Sequence, residues 1–565
     1  MADGPQNLVW SGFGSAGPGV SHAVHVCNFR GEPHLCFYQG TQMLGWGMGH
    51  GVIMDKHYRI VMSVEAGSFQ ATSDMHEFYL LPDGRTALLT QFLRSAYDLC
   101  DYGICSGLGY LQEGAFQEVD VETGKVVFEW RSLDHIDLSE SYVGPGTTEI
   151  SGTGREAQSP WDYFHINSVD KNDDGDYLIS ARHTSAIYKI SGKDGHVIWR
   201  LNGERSDFKM VGFPDDVAFS FQHDARWLWE NETASAISLF DNGSNGFNLT
   251  QQFSQGMVVV LDHVRKTATK VQEYNPPILD GSRLESKSQG NTQVLPDGNV
   301  VCGWGNQAFW SEHAPDGSAV WFGSIGLTNV MNYRTHKFNW TGLPLTKPAL
   351  WTYSRTSGDD GMMVYASWNG HTEIKKWSYH TGPTKEGPWT WVRNVDKHGF
   401  ETAWRGDRYA DYSYVVALDA RGAELGRSEP QRTFVPPARM LPFCDGLACV
   451  DDQHEEPPDA AAQKAEQEQK EAEEAEAERE RAELREMERR RWLVGTLATA
   501  AGCMAMLALL LARRSVVRSA LALGFFISDV LSFAIRRACS GYRALATEMT
   551  GDSHTDLAMS MARAG

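Results

Sequence analysis

The chain is 565 residues long, 42% hydrophobic and 11% aromatic, with a formal net charge of −21. That length has room for two or three domains with large cores, and the acidic balance argues against a nucleic-acid partner. The acidity is uneven, because residues 451–491 alone hold 16 acidic and 8 basic side chains.

Met1-Ala2-Asp3-Gly4-Pro5 has neither a basic nor an apolar run, so it does not read as a signal peptide. The chain opens on Gln6-Asn7-Leu8-Val9-Trp10, in the manner of a strand–turn unit entered midway, and an incomplete N-terminus is expected. Four segments then repeat one pattern: a polar or histidine start, a hydrophobic stretch, an Asp-Gly turn or its Asn-Gly equivalent, and a second hydrophobic run. They begin at His76-Glu77-Phe78, His165-Ile166-Asn167, His223-Asp224-Ala225 and Asn291-Thr292-Gln293. Between them lie strands closing on tryptophan: Val126-Val127-Phe128-Glu129-Trp130, His196-Val197-Ile198-Trp199 and Ser318-Ala319-Val320-Trp321. Turn signals at roughly 8–12-residue spacing predict an all-β array. Irregular repetition at roughly 40–70 residues predicts propeller blades with loop insertions. Histidines opening equivalent inner strands would then converge on one central site.

Asp224 beside His223 is positioned to orient an imidazole or to cap a turn. Arg226, three residues beyond His223, falls on the opposite face by strand alternation. Asp170-Lys171-Asn172-Asp173-Asp174-Gly175-Asp176 begins like a calcium loop, but its twelfth position is Ala181, so an Asp-rich turn is expected and no metal is assigned. Cys100/Cys105 and Cys444/Cys449 are spaced for small disulfide loops or stand as free thiols. Sequons occur at Asn231, Asn242, Asn248 and Asn339, and matter if the domain enters the secretory pathway.

Residues 347–433 hold further alternating strands, consistent with a small β-sandwich of immunoglobulin or fibronectin type. Residues 455–491 read as a charged helical stalk, with a coiled coil as the weaker reading. Residues 492–512 are 21 positions without a charge, long enough to cross a bilayer. In the 513–565 tail, a shorter apolar stretch at 519–535 carries Asp529. Arginines crowd the N-terminal flank of the span, which would leave the large domain cytoplasmic. The sequons favour the lumenal or extracellular side, and that orientation is the one expected for a single-pass protein.

Several of these segments together resemble the arylsulfotransferase family, in the variant common among fungi and other eukaryotic microbes. They include Trp46-Gly47-Met48-Gly49-His50-Gly51, Asp74-Met75-His76-Glu77-Phe78, Phe164-His165-Ile166-Asn167-Ser168-Val169 and Ile179-Ser180-Ala181-Arg182-His183. Phe221-Gln222-His223-Asp224-Ala225-Arg226, Ser238-Leu239-Phe240-Asp241-Asn242-Gly243 and Gly290 to Val300 continue the series, and the resemblance covers about residues 6–433. It implies a six-bladed propeller over 1–335, followed by the sandwich. The implied activity is transfer of a sulfuryl group from a phenolic sulfate ester to a phenol, with no cofactor. His223 and His165 are implied as catalytic residues, with His76, Arg182, His183, Asp224 and Asn167 binding substrate. The alternative is a non-catalytic, membrane-tethered propeller that binds a ligand or protein. Two departures stand out: the turn after Asn242-Gly243 is Ser244-Asn245-Gly246-Phe247 where the family has an arginine, and the family's sulfated histidine has no clear match.

Overall fold

The structure is a computed structural model describing residues 7–13, 19–67, 72–148, 150–213, 218–279, 282–325, 330–357 and 361–437. The stalk, the 492–512 span, the 519–535 segment and the Cys444/Cys449 pair lie outside these residues. Among the described residues no helix is long and apolar enough to cross a membrane.

Five antiparallel sheets follow one another, each built from consecutive strands in chain order. The first comprises Val20–Phe29, Glu32–Gln42, Gly47–Met54 and Ile60–Val64. The second comprises Phe78–Leu80, Thr86–Leu99, Ile104–Asp120 and Val126–Arg131, with Trp161–Asp162 added in parallel. Ile166–Lys171, Tyr177–Ala181, Ala186–Ile190 and Val197–Leu201 form the third. His223–Glu230, Ala234–Asp241, Gln255–Asp262 and Thr267–Tyr274 form the fourth, joined in parallel by Lys209–Val211. Asn291–Val294, Val300–Gly303, Phe309–His313 and Ala319–Ser324 complete the fifth. The described residues thus hold five such sheets ahead of residue 349, where six blades were expected. Beyond it, two antiparallel sheets between Ala349 and Arg432 share one core containing Val364, Trp377, Tyr379, Trp404 and Val415.

Each gap between successive sheets has its own apolar filling, which is why strands such as Tyr177–Ala181 and Ala186–Ile190 are buried along their whole length. Phe29, Ile53, Phe78 and Leu89 fill the first gap. Phe116, Trp130, Phe164 and Tyr177 fill the second, Ile187, Trp199, Ile237 and Met257 the third, and Phe240, Val300 and Trp304 the fourth. The outer face of the first sheet is covered by Trp10, Phe338 and Trp340.

The repeated motifs tie adjacent sheets together. Glu77 Oε2 accepts from the Val169 amide, Asn167 Nδ2 donates to the Gln222 carbonyl, and Asn242 Nδ2 donates to the Ser286 and Gln289 carbonyls. Between the fifth sheet and the first runs an extended segment, residues 333–337. Asn291 accepts from Thr335 N at 2.7 Å and donates to Thr335 O at 2.8 Å. Gln293 treats Lys337 in the same way, at 2.7 and 3.1 Å. Two side-chain amides therefore stand in for the backbone of a neighbouring strand. On the other side Tyr333 meets the His22 ring edge-on at 4.9 Å, and His336 meets His25 at 5.8 Å.

Among the described residues two disulfides are formed, Cys27–Cys36 across the first hairpin and Cys100–Cys105 at the tip of the long hairpin in the second sheet. The first of these had no signal in the spacing.

Candidate functional site

The site is built where the opening strands of the sheets begin, and the backbone there is unusual. Ala23, His165, Phe221, Asp224 and Gln289 all have positive φ without being glycine, a conformation that persists only where surrounding structure imposes it. Register shifts fall between His22 and His25, Ile166 and Ser168, and His223 and Arg226. These bulges re-aim the side chains at the strand starts.

Four of the expected histidines converge. The His165 ring lies 4.9 Å from His76 and 4.6 Å from His183, with Phe92 packed against both His76 and His165. Each imidazole has a fixed Nδ1. Asp74 Oδ1 holds His76 at 2.5 Å, Asp162 Oδ2 holds His165 at 2.5 Å, and the Asp162 carbonyl accepts from His183 Nδ1 at 2.6 Å. His223 is oriented by a neutral amide instead: Asn242 Oδ1 accepts from Nδ1 at 2.7 Å. Gln289 N donates to His223 Nε2 at 3.2 Å, which fixes the tautomer with the proton on Nδ1. Gln289 is aimed there by its left-handed backbone and by Gly290, where a Cβ would fall 2.5 Å from the Phe240 ring.

Arg182 lies within this group and is 1% exposed. Its Nη1 donates to His183 Nε2 at 3.1 Å and its Nη2 to the Lys287 carbonyl at 2.7 Å, while its Nε has no partner. Among the described residues no carboxylate forms an ion pair with it. Burial drives its pKa down to about 10, against the longer-range pull of Asp162. Burial also holds His165 and His223 well below the ordinary histidine value, with the Arg182 charge acting in the same direction, and brings His183 down to about 3. These three rings are neutral at pH 7 beside a cation that has no ion-pair partner among the described residues. Asp162 is raised to about 6 by burial, although His183 and His76 oppose this.

Two expected ligands are placed elsewhere. Asp224 does not touch the His223 ring. It pairs with Arg226 at 2.8 Å and Arg334 at 3.2 Å, and these guanidiniums overcome the upward push of burial to hold its carboxyl at about 2. Glu77 completes the network, with Arg226 at 2.5 Å and Arg334 at 2.8 Å. Arg226 is thus kept from the histidines by ion pairing. Strand alternation is not the cause, since the ladder partners of His223 and Arg226 are Phe240 and Ser238, two apart and on one side. Asn167 serves the sheet-to-sheet contact through Nδ2, and its Oδ1 is buried without a partner.

Of the sequons, Asn231, Asn248 and Asn339 are exposed. Asn242 is fully buried with its amide committed to His223, Ser286 and Gln289, and the fold leaves it no room to carry a glycan. Asn172 Oδ1 accepts from Asp176 N at 2.7 Å, closing the Asp-rich segment as a β-turn. Asp162, His165 and His183 could hold a metal ion, their ligand atoms lying within 4.8 Å of one another. In this arrangement both ring Nδ1 atoms instead donate protons to Asp162 oxygens, and hydrogen bonding accounts for the closeness. His313 ends a strand and is buried against Ser311 and Gly317.

Sequence reasoning missed the groups that orient the rings: Asp74, Asp162, Asn242 and Gln289. The one signal available was an acidic residue two or three positions before a histidine, as in Asp74-Met75-His76 and Asp162-Tyr163-Phe164-His165.

The family model for arylsulfotransferase (ASST) matches residues 25–326, which carry the four converging histidines, Arg182 and the groups that orient them. The chain belongs to the arylsulfotransferase family. As a mainly β, arylsulfotransferase-like protein, it has phenolic compounds as its implied substrates if it is active. No curated protein matches the sequence. Similar solved structures include a protein of unknown function from Bacteroides caccae (13% identity, TM-score 0.30, 55% of this chain and 84% of that one). Others are the GH43 BlXynB protein of Bacillus licheniformis (10%, 0.29, 73% and 91%) and the calcium-binding protein regucalcin of Agrobacterium tumefaciens (9%, 0.19, 54% and 85%).

Proposed function

We propose that this arylsulfotransferase moves a sulfuryl group from a phenolic sulfate ester to a phenol without a nucleotide donor, with His223 as nucleophile. The observation that carries the reading is the buried, unneutralised Arg182 among four imidazoles. A sulfate ester is an anion throughout the transfer, and a preset cation in a dry site stabilises it strongly. His223 Nδ1 donates to a neutral amide and burial keeps the ring unprotonated, so Nε2 carries the lone pair that attacks sulfur. The new N–S bond forms as the ester S–O bond breaks. Once the anion is bound, His165 takes a proton from solvent to become an imidazolium that Asp162 supports, and that proton passes to the departing phenolate. The acceptor phenol reverses the sequence: its oxygen bonds to sulfur, the N–S bond breaks and its proton returns to His165.

The five sheets, closed by the strand-like 333–337 segment, fit a propeller with the histidines at its centre. Two disulfides and three exposed sequons fit an oxidising compartment, with the chain anchored through 492–512 and its large domain lumenal or extracellular.

One observation favours the binding-only alternative: the Gln289 amide already occupies His223 Nε2. The full chain, given 4-nitrophenyl sulfate and 1-naphthol without nucleotide, separates the two. Naphthyl sulfate formed by wild type and abolished in His223→Ala, with a sulfated peptide containing His223 trapped when acceptor is withheld, supports transfer. A folded protein that neither turns over nor becomes sulfated across several aryl sulfates would leave only binding.

A further inference from the structure

One short segment occupies both groups that the proposed transfer needs free. The Lys287 carbonyl accepts from Arg182 Nη2 at 2.7 Å, and two residues further on the Gln289 N–H donates to His223 Nε2 at 3.2 Å. The first contact takes up a donor that a sulfate oxygen requires. The second takes up the lone pair that must attack sulfur. His165, His223 and Arg182 are each no more than 3% exposed, so in this arrangement no ester reaches them.

The middle of the segment is free to turn while its ends stay fixed. Glu285-Ser286-Lys287-Ser288-Gln289-Gly290 contains no apolar side chain, so hydrogen bonds, rather than packing in a core, keep it in place. Its ends are held by the Ser286 amide on Ser254 Oγ at 2.7 Å and the Gly290 amide on the Tyr333 carbonyl at 3.1 Å. Asn242 Nδ2 bonds the Ser286 and Gln289 carbonyls. The two peptide planes between those carbonyls carry the Lys287 oxygen and the Gln289 N–H. Lys287 itself is exposed, its stem lying across Gly246, and a single further bond, from Asn306 N, reaches the Ser288 carbonyl from outside the segment. Gln289 holds φ +65° and Gly290 φ +105°. Left-handed backbone at a glutamine is a strained state that turning its amide outward relaxes, and the glycine beside it takes up the change of angle.

We infer that the Lys287–Gln289 stretch is a strap that closes the centre by standing in for substrate, and that the sulfate group of an incoming ester displaces it. The inference rests on the proposed transfer reaction and adds how that same site is regulated. The carbonyl oxygen marks the place of a sulfate oxygen on Arg182, and the amide marks the place of sulfur at His223. A guanidinium prefers an anionic oxygen to a neutral carbonyl. An aryl sulfate therefore shifts the strap toward open, and a neutral phenol, lacking that differential affinity, does not. Once His223 carries the sulfo group the amide cannot return to Nε2, and the strap stays open for the acceptor.

The test locks the strap shut. A Cβ placed on Gly246 would lie 3.6 Å from the Lys287 Cβ, within the roughly 3.5–4.5 Å of a disulfide. In the full chain, Gly246→Cys combined with Lys287→Cys allows a cross-link that reductant undoes. Wild type taken through the same reduction controls for the native disulfides, and Gly246→Cys alone controls for a side chain at φ +86°. Binding is read by equilibrium dialysis of 4-nitrobenzenesulfonate, an anion whose C–S bond does not transfer. Turnover is read with 4-nitrophenyl sulfate and 1-naphthol. The cross-linked form is expected to bind the sulfonate roughly tenfold more weakly, and to transfer roughly a hundredfold more slowly, than the same protein reduced. Equal sulfonate binding before and after reduction would overturn the inference, as would no binding in either form. Binding gated by the cross-link in a protein that transfers nothing would sustain the strap and reject the transfer reaction. Turnover that ignores the cross-link would do the reverse. In wild type, hydrogen exchange of the peptide holding Lys287 to Gln289 is expected to quicken at saturating sulfonate, and unchanged or slower exchange would also overturn the strap.

Discussion

Asp162 holds His165 at two points, its Oδ1 accepting from the backbone N–H at 3.0 Å and its Oδ2 from ring Nδ1 at 2.5 Å. One carboxylate thereby sets both the left-handed turn of that residue and the tautomer of its ring. Asp162→Asn would present an amide that can satisfy one contact but not support an imidazolium. The expected result is loss of sulfuryl transfer by about 10²-fold or more, with the thermal midpoint of unfolding moved far less than in a core truncation. A variant transferring at the wild-type rate would remove His165 from proton transfer.

Arg182 should matter more for catalysis than for stability. It has no ion-pair partner among the described residues, so Arg182→Met removes a buried cation without stranding a paired carboxylate. Transfer from 4-nitrophenyl sulfate is expected to fall by roughly 10²–10³-fold, while urea unfolding shows a stability equal to or above wild type. Marked destabilisation with normal turnover would show that the guanidinium is there for the fold.

Arg334 should behave in the opposite way. It bonds Glu77, Asp224 and the carbonyls of His76 and Asn167, joining three sheets from a position beyond the fifth. Arg334→Met leaves two buried carboxylates short of a partner and is expected to cost about 3–5 kcal/mol, read as a lower urea midpoint. An unchanged midpoint would mean that Arg226 alone can neutralise both.

Acid should unfold this protein early. An unfolded histidine titrates near 6.5, whereas burial lowers His22 to about 4 and His183 and His336 to about 3, with further lowering at His165 and His223. Between those values the unfolded chain binds more protons, so folding stability falls as pH drops below 6.5. Each such histidine contributes about 1.4 kcal/mol per pH unit once fully inside that window. Asp162 and Asp241, both raised to about 6 by burial, act with opposite sign and offset part of the loss below that pH. Melting temperature is therefore expected to decline steadily from pH 7 to pH 5. A flat profile would mean these rings are hydrated in solution.

If the domain is made in the secretory route, glycosidase-sensitive mass is expected on the peptides containing Asn231, Asn248 and Asn339, and none at Asn242. A glycan at Asn242 in active protein would contradict its place between His223 and Gln289.

Much of this was legible in sequence because the relevant signals are local. The strands closing on Trp130, Trp199 and Trp321 and the turns at Gly84, Gly175 and Gly298 sit where alternation and turn chemistry put them. So do the histidines that open the strands. The partners that tune those histidines were hidden for two reasons. Asn242 and Gln289 lie 19 and 66 residues from His223, beyond the reach of any spacing argument. The bulges also break the two-residue period on which facing arguments depend, so Arg226 could be kept out of the site only by finding Glu77, 149 residues away. Asp224 misled for the same reason: adjacency along a strand with a bulge says little about which side chain meets which.

The distance in sequence between Glu77 and Arg334 has a consequence for how the chain is made. The carboxylate appears 257 residues before the guanidinium that neutralises it. At ribosomal speeds of about 5–20 residues per second, that is an interval of roughly 13–50 s. Through that interval the second, third and fourth sheets can stack their apolar faces while Glu77 and Asp224 have, among the described residues, Arg226 as their one ion-pair partner. The nascent protein should therefore wait in an open, solvated form of its own centre, and the last piece to arrive decides when water leaves it.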